Sequence, residues 1–400
     1  MRIHTILTNL FSQNNCKIHR AHTNFLSLAT QAVLSGSRLT CASLGRNLAT
    51  NTTQKHNIKR VNNMLGNPNL HKNRVIISQA ITHFFLNVRQ RPIIIVDWSS
   101  TNSSLKFHVL RATLIIRNKG RGITLYEEVH PQKKLANPKV EQAFLYKLKD
   151  LIPGRTKPII VTDAGYHIRW FKVVKELNWD YLGRARGGVQ YKICKKTRWL
   201  TLNTLFKKAT TTAKFIDNFL LSKNREWSCR AVLVKQSRKR TKSKTVTGKI
   251  ACGTANRKNA KRAREPWLLI TSLTKLDYSA RQIANIYERR MQIEEGFRDS
   301  KSSHYGMGLK SHRSKSAARI EILLLISMLT TFIGYAIGYA AQQLQLNKHF
   351  QANTMKARQV ISFIFLATQI YKCRHKEKWL MKIDFSKILD ALQRPMEIIL

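Results

Sequence analysis

Three carboxylates stand apart by type and placement: Asp97, Asp163 and Glu294. Asp97 is the first acid of the chain, residues 1–96 containing neither Asp nor Glu. It ends the run Ile93-Ile94-Ile95-Val96, whose short, apolar, β-branched character predicts a buried strand. Asp163 ends a like run, Pro158-Ile159-Ile160-Val161-Thr162. An ionised carboxylate at a buried strand end is costly unless a cation compensates it. If the two strands lie parallel, their C-terminal ends stand side by side and the carboxylates can share a metal. Hard oxygen ligands suit Mg2+, which takes one or two carboxylates plus substrate phosphates. Asp also ends strands simply as a turn residue, but two matched cases in so basic a chain favour the chemical reading.

The third carboxylate comes from a segment with helical spacing. Tyr287, Arg290, Glu294 and Lys301 fall at offsets 0, 3, 7 and 14, one stripe of an α-helix. A carboxylate flanked by Tyr, Arg and Lys suits a metal ligand with phosphate-binding neighbours. An exposed, salt-bridged helix face would have the same spacing.

The charge balance says what such a site would act on. Seventy-one Lys and Arg against 21 Asp and Glu leave a net charge of +50 over 400 residues. That repulsion opposes compaction unless a polyanion screens it, and nucleic acid is the first partner implied. At 43% apolar residues the chain can still bury substantial cores, which excludes a disordered basic tail. The six cysteines show no CxxC pair, implying reduced thiols and no structural zinc. No secretory signal is apparent, and a cytoplasmic location is expected. Ile322–Ala341 carries no charge and is long enough to span a bilayer. A fully buried helix has the same composition, and no membrane partner is expected.

The elements that must position these residues fall into five stretches. Residues 1–90 read as a helical, basic DNA-binding domain, with Thr40 and Thr52 or Thr53 as caps and a stop at Gly66. On its third helix Lys55, Lys59 and Asn63 share one face, beside Arg60, in a helix-turn-helix-like unit. Residues 91–187 alternate strand, hairpin, helix, strand and helix, with strands over 105–117 and 123–129 joined at Asn118-Lys119-Gly120-Arg121-Gly122. This is an α/β core with a mixed sheet. Residues 188–275 read as a β-rich basic insertion, with twelve Lys/Arg and no acid between Lys235 and Arg264. Residues 276–344 return to long helices and complete the core. Residues 345–400 form a mostly helical C-terminal region suited to dimerisation.

The pattern Tyr-x2-Arg-x3-Glu-x6-Lys resembles the YREK signature of bacterial insertion-sequence transposases of the DDE type, and the chain as a whole resembles insertion-sequence family four. Further resemblance lies in Gly45-Arg46-Asn47-Leu48, Lys55–Arg60, Val96-Asp97-Trp98-Ser99, Asp163-Ala164-Gly165, Glu265-Pro266-Trp267, Arg290–Glu295 and His349–Thr354. The resemblance implies a ribonuclease H-like catalytic core. Asp97, Asp163 and Glu294 would be the catalytic, metal-binding triad, with Glu294 preferred to Glu295 by its place in the signature. Tyr287, Arg290 and Lys301 would hold transposon-end DNA. Trp267 would stack a flipped base with Met291 as its wedge partner, although Trp267 could equally be a core residue. Two Mg2+ ions, replaceable by Mn2+, and a homodimer in a synaptic complex are implied. The competing classes are a ribonuclease H-fold nuclease or resolvase without strand transfer, and a non-catalytic basic DNA-binding protein.

Overall fold

Caps and one close helix approach organise the N-terminal region. The computed structural model describes residues 2–383 except 15, 88–90, 103, 105, 117–119, 194–197, 237–253, 255–264, 305, 353–359, 374 and 382. Its first helices are α1 (Arg2–Gln13), α2 (Arg20–Leu34), α3 (Cys41–Arg46), α4 (Gln54–Leu65) and α5 (Pro68–Leu86). Thr40 and Thr53 accept bonds from the N–H groups of Ser43 and His56, and Gly66 ends α4. Such caps satisfy donors that a first helical turn leaves unpaired. At Gly45 a Cβ would lie 2.5 Å from the Ile58 Cα, so α3 and α4 can pack this closely only with glycine there. Lys55, Lys59, Arg60 and Asn63 are all exposed on α4.

The chain forms two compact units, Met1–Pro158 with Met291–Ile399, and Ile159–Arg290. In the first, β1 (Ile93–Ser100), β2 (Phe107–Leu114) and β3 (Ile123–Pro131) form an antiparallel meander in the order β3-β2-β1. It is joined by α6 (Pro138–Leu151), α10 (Met291–Lys301), α11 (Ala317–Gln343), α12 (Phe363–Lys372) and α13 (Lys376–Met381). The uncharged stretch lies within α11. That helix is long and apolar enough to cross a membrane, but 94% of its most apolar window is buried within the protein.

In the second unit, β4 (Ile159–Thr162), α7 (Ile168–Glu176) and β5 (Asp180–Ala185) make a parallel βαβ step. There follow β6 (Gln190–Ile193), β7 (Leu200–Thr201), α8 (Leu202–Phe206), β8 (Lys214–Leu221), β9 (Trp227–Val234), β10 (Trp267–Thr271) and α9 (Ala280–Glu288). Its strands run in the order β4-β5-β10-β9-β8-β6-β7, antiparallel beyond the first pair. The mixed α/β class read from the sequence is therefore present.

Two readings are corrected. The segment 286–301 is not one helix. The N–H groups of Arg289 and Arg290 bond Ile286 O and Tyr287 O, tightening the last turn of α9, and α10 begins afresh at Met291. No Gly or Pro marks this joint, so spacing could not show it. Of the strand expected over 105–117, Phe107–Leu114 is strand and residues 106, 115 and 116 are not, with a register shift between Ala112 and Thr113, while Leu105 and Arg117 lie outside the described residues. The turn at Asn118-Lys119, most of segment 235–263, Asn353-Thr354 and residues 384–400 lie outside the described residues.

The paired glycines of α11 differ. A Cβ on Gly338 would lie 2.5 Å from the Phe363 Cα of α12, whereas one on Gly334 would meet Leu34 Cδ2 at an ordinary 3.5 Å. Gly338→Ala should therefore lose about 1–3 kcal/mol through overpacking. Gly334→Ala should be neutral or gain up to about 1 kcal/mol of helix propensity. Thermal melting of the two variants checks this, and equal effects would refute it.

Candidate active site

Helix α10 is fastened to the meander along its length. The side-chain amide of Gln292 makes two bonds to the Ile116 backbone, accepting from its N–H at 3.1 Å and donating to its C=O at 2.9 Å. Arg121 forks onto Asp299, at 2.6 Å from Nε and 3.3 Å from the terminal nitrogen. Such bidentate pairs fix geometry as well as charge. Glu295 is drawn into this surface network by Arg298 and by Arg121, the latter at 3.7 Å.

Glu294, its neighbour, faces elsewhere. It lines a cleft of about 530 Å³ together with Asp97 and Ser99 of β1, and with Arg298, Lys301 and Lys310. The last residues of β1 emerge from the buried run Ile93–Val96 into this half-buried position. The Trp98 N–H donates to Asp97 Oδ1 at 2.8 Å, and the Trp98 indole is anchored on Glu141 at 3.0 Å. The Lys301 ammonium donates to Ser99 Oγ and lies 4.9 Å from the Phe297 ring centre. Burial, with the like charges of Arg111 and Lys310, pushes Lys301 down to about 8 against the pull of Asp97.

Asp163, Tyr287, Arg290 and Trp267 belong to the second unit. Asp163 follows β4, and Tyr287, at the end of α9, donates its hydroxyl to Asp163 Oδ1 at 3.1 Å. Burial pushes the Asp163 carboxyl up. Arg290, the Ala164 N–H, the Tyr287 hydroxyl and Arg184 outweigh that and hold it below the ordinary range. The indole of Trp267 meets Tyr287 edge-on, with ring centres 5.0 Å apart. Trp267 is half-buried at the start of a buried strand, so its packing role and an exposed face coexist. Met291 is 48% exposed at the start of α10.

The structure thus brings Asp97, Glu294 and Lys301 into one cleft, and Asp163, Tyr287 and Trp267 into another cluster. Lys55, Lys59 and Arg60 stand apart on the exposed face of α4. Sequence reasoning missed Ser99, Arg111, Glu127 and Arg184. Opposite charges inside the two strands of the expected hairpin, Arg111 and Glu127, were the available signal. Among the described residues no three His, Cys, Asp or Glu side chains cluster tightly enough to hold a metal alone. Two carboxylates and a hydroxyl in one open cleft nevertheless fit Mg2+, whose remaining ligands are water and substrate phosphate.

A cleft where carboxylates and cations meet, in a mixed α/β protein, is a site suited to phosphate-ester chemistry. A family model for the transposase DDE domain matches residues 89–331, more than half of the chain, and the chain belongs to the DDE transposase family. That family acts on DNA. The search of curated proteins returned no match.

The Tyr287–Asp163 bond gives a direct prediction. Tyr287→Phe removes one donor to the ionised form, so the Asp163 pKa should rise toward the ordinary carboxylate value. NMR of selectively 13C-labelled Asp measures it. An unchanged value would mean that Arg290, the Ala164 N–H and Arg184 hold the charge without the hydroxyl.

Proposed function

We propose that the chain is a cut-and-paste transposase of insertion-sequence family four, close to the transposase of the tetracycline-resistance transposon ten. The observation that carries this reading is the cleft shared by Asp97 of β1 and Glu294 of α10 beside Lys301, inside the family-matched segment. The YREK signature is read in Tyr287, Arg290, Glu294 and Lys301, and the core is taken as ribonuclease H-like. Asp97, Glu294 and, from the resemblance, Asp163 would hold two Mg2+ ions, for which Mn2+ can substitute. When bound, these would activate the nucleophile and stabilise the leaving oxygen at the scissile phosphate.

The chain's own residues have separable tasks in this reading. Lys301 and Lys310 place positive charge in the cleft and orient a phosphodiester, with the Ser99 hydroxyl beside Lys301. Glu295, engaged with Arg298 and Arg121, holds α10 and leaves the ligand role to Glu294. Tyr287 and Arg290 keep Asp163 ionised. Trp267 offers its half-buried indole to a flipped base, a contact worth about 1–3 kcal/mol, and Met291 serves as the wedge. The basic face of α4 takes DNA phosphates.

Water nicks the transposon end, the freed 3′-hydroxyl attacks the opposite strand to form a hairpin, and opening of the hairpin precedes joining to target DNA. Pairing two ends requires a homodimeric synaptic complex, at work on the bacterial nucleoid.

Asp163→Ala should abolish Mg2+-dependent end cleavage while leaving end binding near wild type, measured by gel shift and labelled-end cutting. Wild-type cutting by that variant would remove Asp163 from the triad. Trp267→Ala should nick normally yet form no hairpins, and hairpins appearing at the wild-type rate would exclude the stacking role.

A further inference from the structure

Away from the Asp163 cluster, the second unit holds two ammonium groups over one indole. Lys172 and Lys175 of α7 each place Nζ 5.9 Å from the Trp227 ring centre. Trp227 opens β9, and its indole N–H donates to the Tyr181 hydroxyl at 3.0 Å. Tyr181 is buried on β5, its ring 4.9 Å from that of Phe171 of α7. The indole is therefore fixed from the core outward. Tyr181 pairs in register with Ile160, three residues before Asp163. At a strand rise of about 3.3 Å per residue, that separation is on the order of 10 Å along the sheet.

Both lysines are exposed, and among the described residues neither has an acid partner, although Glu176 stands beside Lys175 on α7. Arg169 lies one turn before Lys172, and the turn leading into Trp227 adds Lys223 and Arg225 against Glu226, all exposed. Holding two like charges against one ring costs side-chain entropy and repulsion, and no carboxylate of this surface offsets either. A ring occupies only one side of an ammonium, so its other donors still point outward. Lysine meets phosphate as a point charge, and such contacts position a nucleic acid without reading its bases.

We propose that Lys172, Lys175 and Trp227 form a backbone-binding site for DNA away from the cleaved position, in which the indole holds the two ammonium groups ready for phosphates. This rests on the reading of the chain as a transposase acting on DNA. The ligand group is the phosphodiester itself, so the site takes duplexes of any sequence.

The test is DNA binding by the full-length protein, followed by fluorescence anisotropy across a salt titration, with circular dichroism as the folding control. Two duplexes of equal length are compared, one carrying the transposon end and one scrambled. Each neutralised phosphate contributes about 0.9 to the slope of log affinity against log salt, so K172A/K175A should flatten that slope by about 2 on both duplexes. Trp227→Leu keeps both charges and should lower affinity by about 2–5-fold, the size of exposed cation–π contacts, with the slope near wild type. K207A/K208A removes the same charge from exposed positions of the same unit and should leave the slope unchanged. An unchanged slope in K172A/K175A, an equal fall in K207A/K208A, or a loss confined to the end-bearing duplex would each overturn the site. Unaltered affinity in Trp227→Leu would remove the indole from it, and if that variant does not fold the lysine pair decides alone. Wild-type protein that binds neither duplex would instead sink the underlying reading of the chain as acting on DNA.

Discussion

In a chain where 71 Lys and Arg face 21 Asp and Glu, every carboxylate has a surplus of cations competing for it. A site that depends on acids must keep some of them from being consumed by the protein's own charge. Several acids outside the cleft are held in ion pairs that double as joints. Glu127 takes Arg111. Glu321 of α11 takes His71 at 2.5 Å and Arg74 at 3.4 Å from α5, and accepts the Val129 N–H of the edge strand β3. Glu265 takes Arg184 and Arg186. Breaking one partner out of a buried pair such as Arg111–Glu127 or Arg74–Glu321 costs about 3–5 kcal/mol, so those two joints resist rearrangement.

Glu128 shows how strongly the surplus of donors acts on a buried acid. Burial opposes its charge, but His130, Lys147 and Tyr126 hold the carboxyl down to about 2. It is a structural acid, locking α6 to β3, and it remains ionised over the whole working range. The acids of the cleft are placed differently. Asp97 and Glu294 line an open cleft together with Arg298, Lys301 and Lys310.

Much of this was legible in the sequence, and the reasons are specific. Ile93–Val96 and Ile159–Thr162 are short β-branched runs, and both are buried within strands; β4 ends at Thr162 beside Asp163, whereas β1 runs on through Asp97 to Ser100, so Asp97 lies inside its strand and not at the end expected for it. The first helix expected in this core is Pro138–Leu151, with its Pro in the first turn, where a fixed φ and a missing N–H are tolerated. Thr40, Thr53 and Gly66 cap as their chemistry requires. What could not be read was whatever depends on tertiary choice. The break at Arg289–Arg290 leaves no mark in composition. The pairing of Arg111 with Glu127 needs the register of β2 against β3, which strand periodicity does not fix. The separation of Glu294 from Glu295 needed Arg121, whose docking onto α10 brings together residues 178 positions apart.

The broken helix gives the signature spacing a physical meaning that an unbroken stripe would lack. Along a continuous helix, Tyr287, Arg290, Glu294 and Lys301 would share one face and one environment. Ending α9 at Glu288 lets Tyr287 remain buried with its hydroxyl on Asp163 and leaves Arg290 to act on the same carboxylate. Restarting at Met291 sets α10 by the bonds of Gln292 and Asp299, which bring Glu294 and Lys301 to the cleft of Asp97. The first half of the motif therefore governs the ionisation of one aspartate, and the second half builds the surroundings of the other.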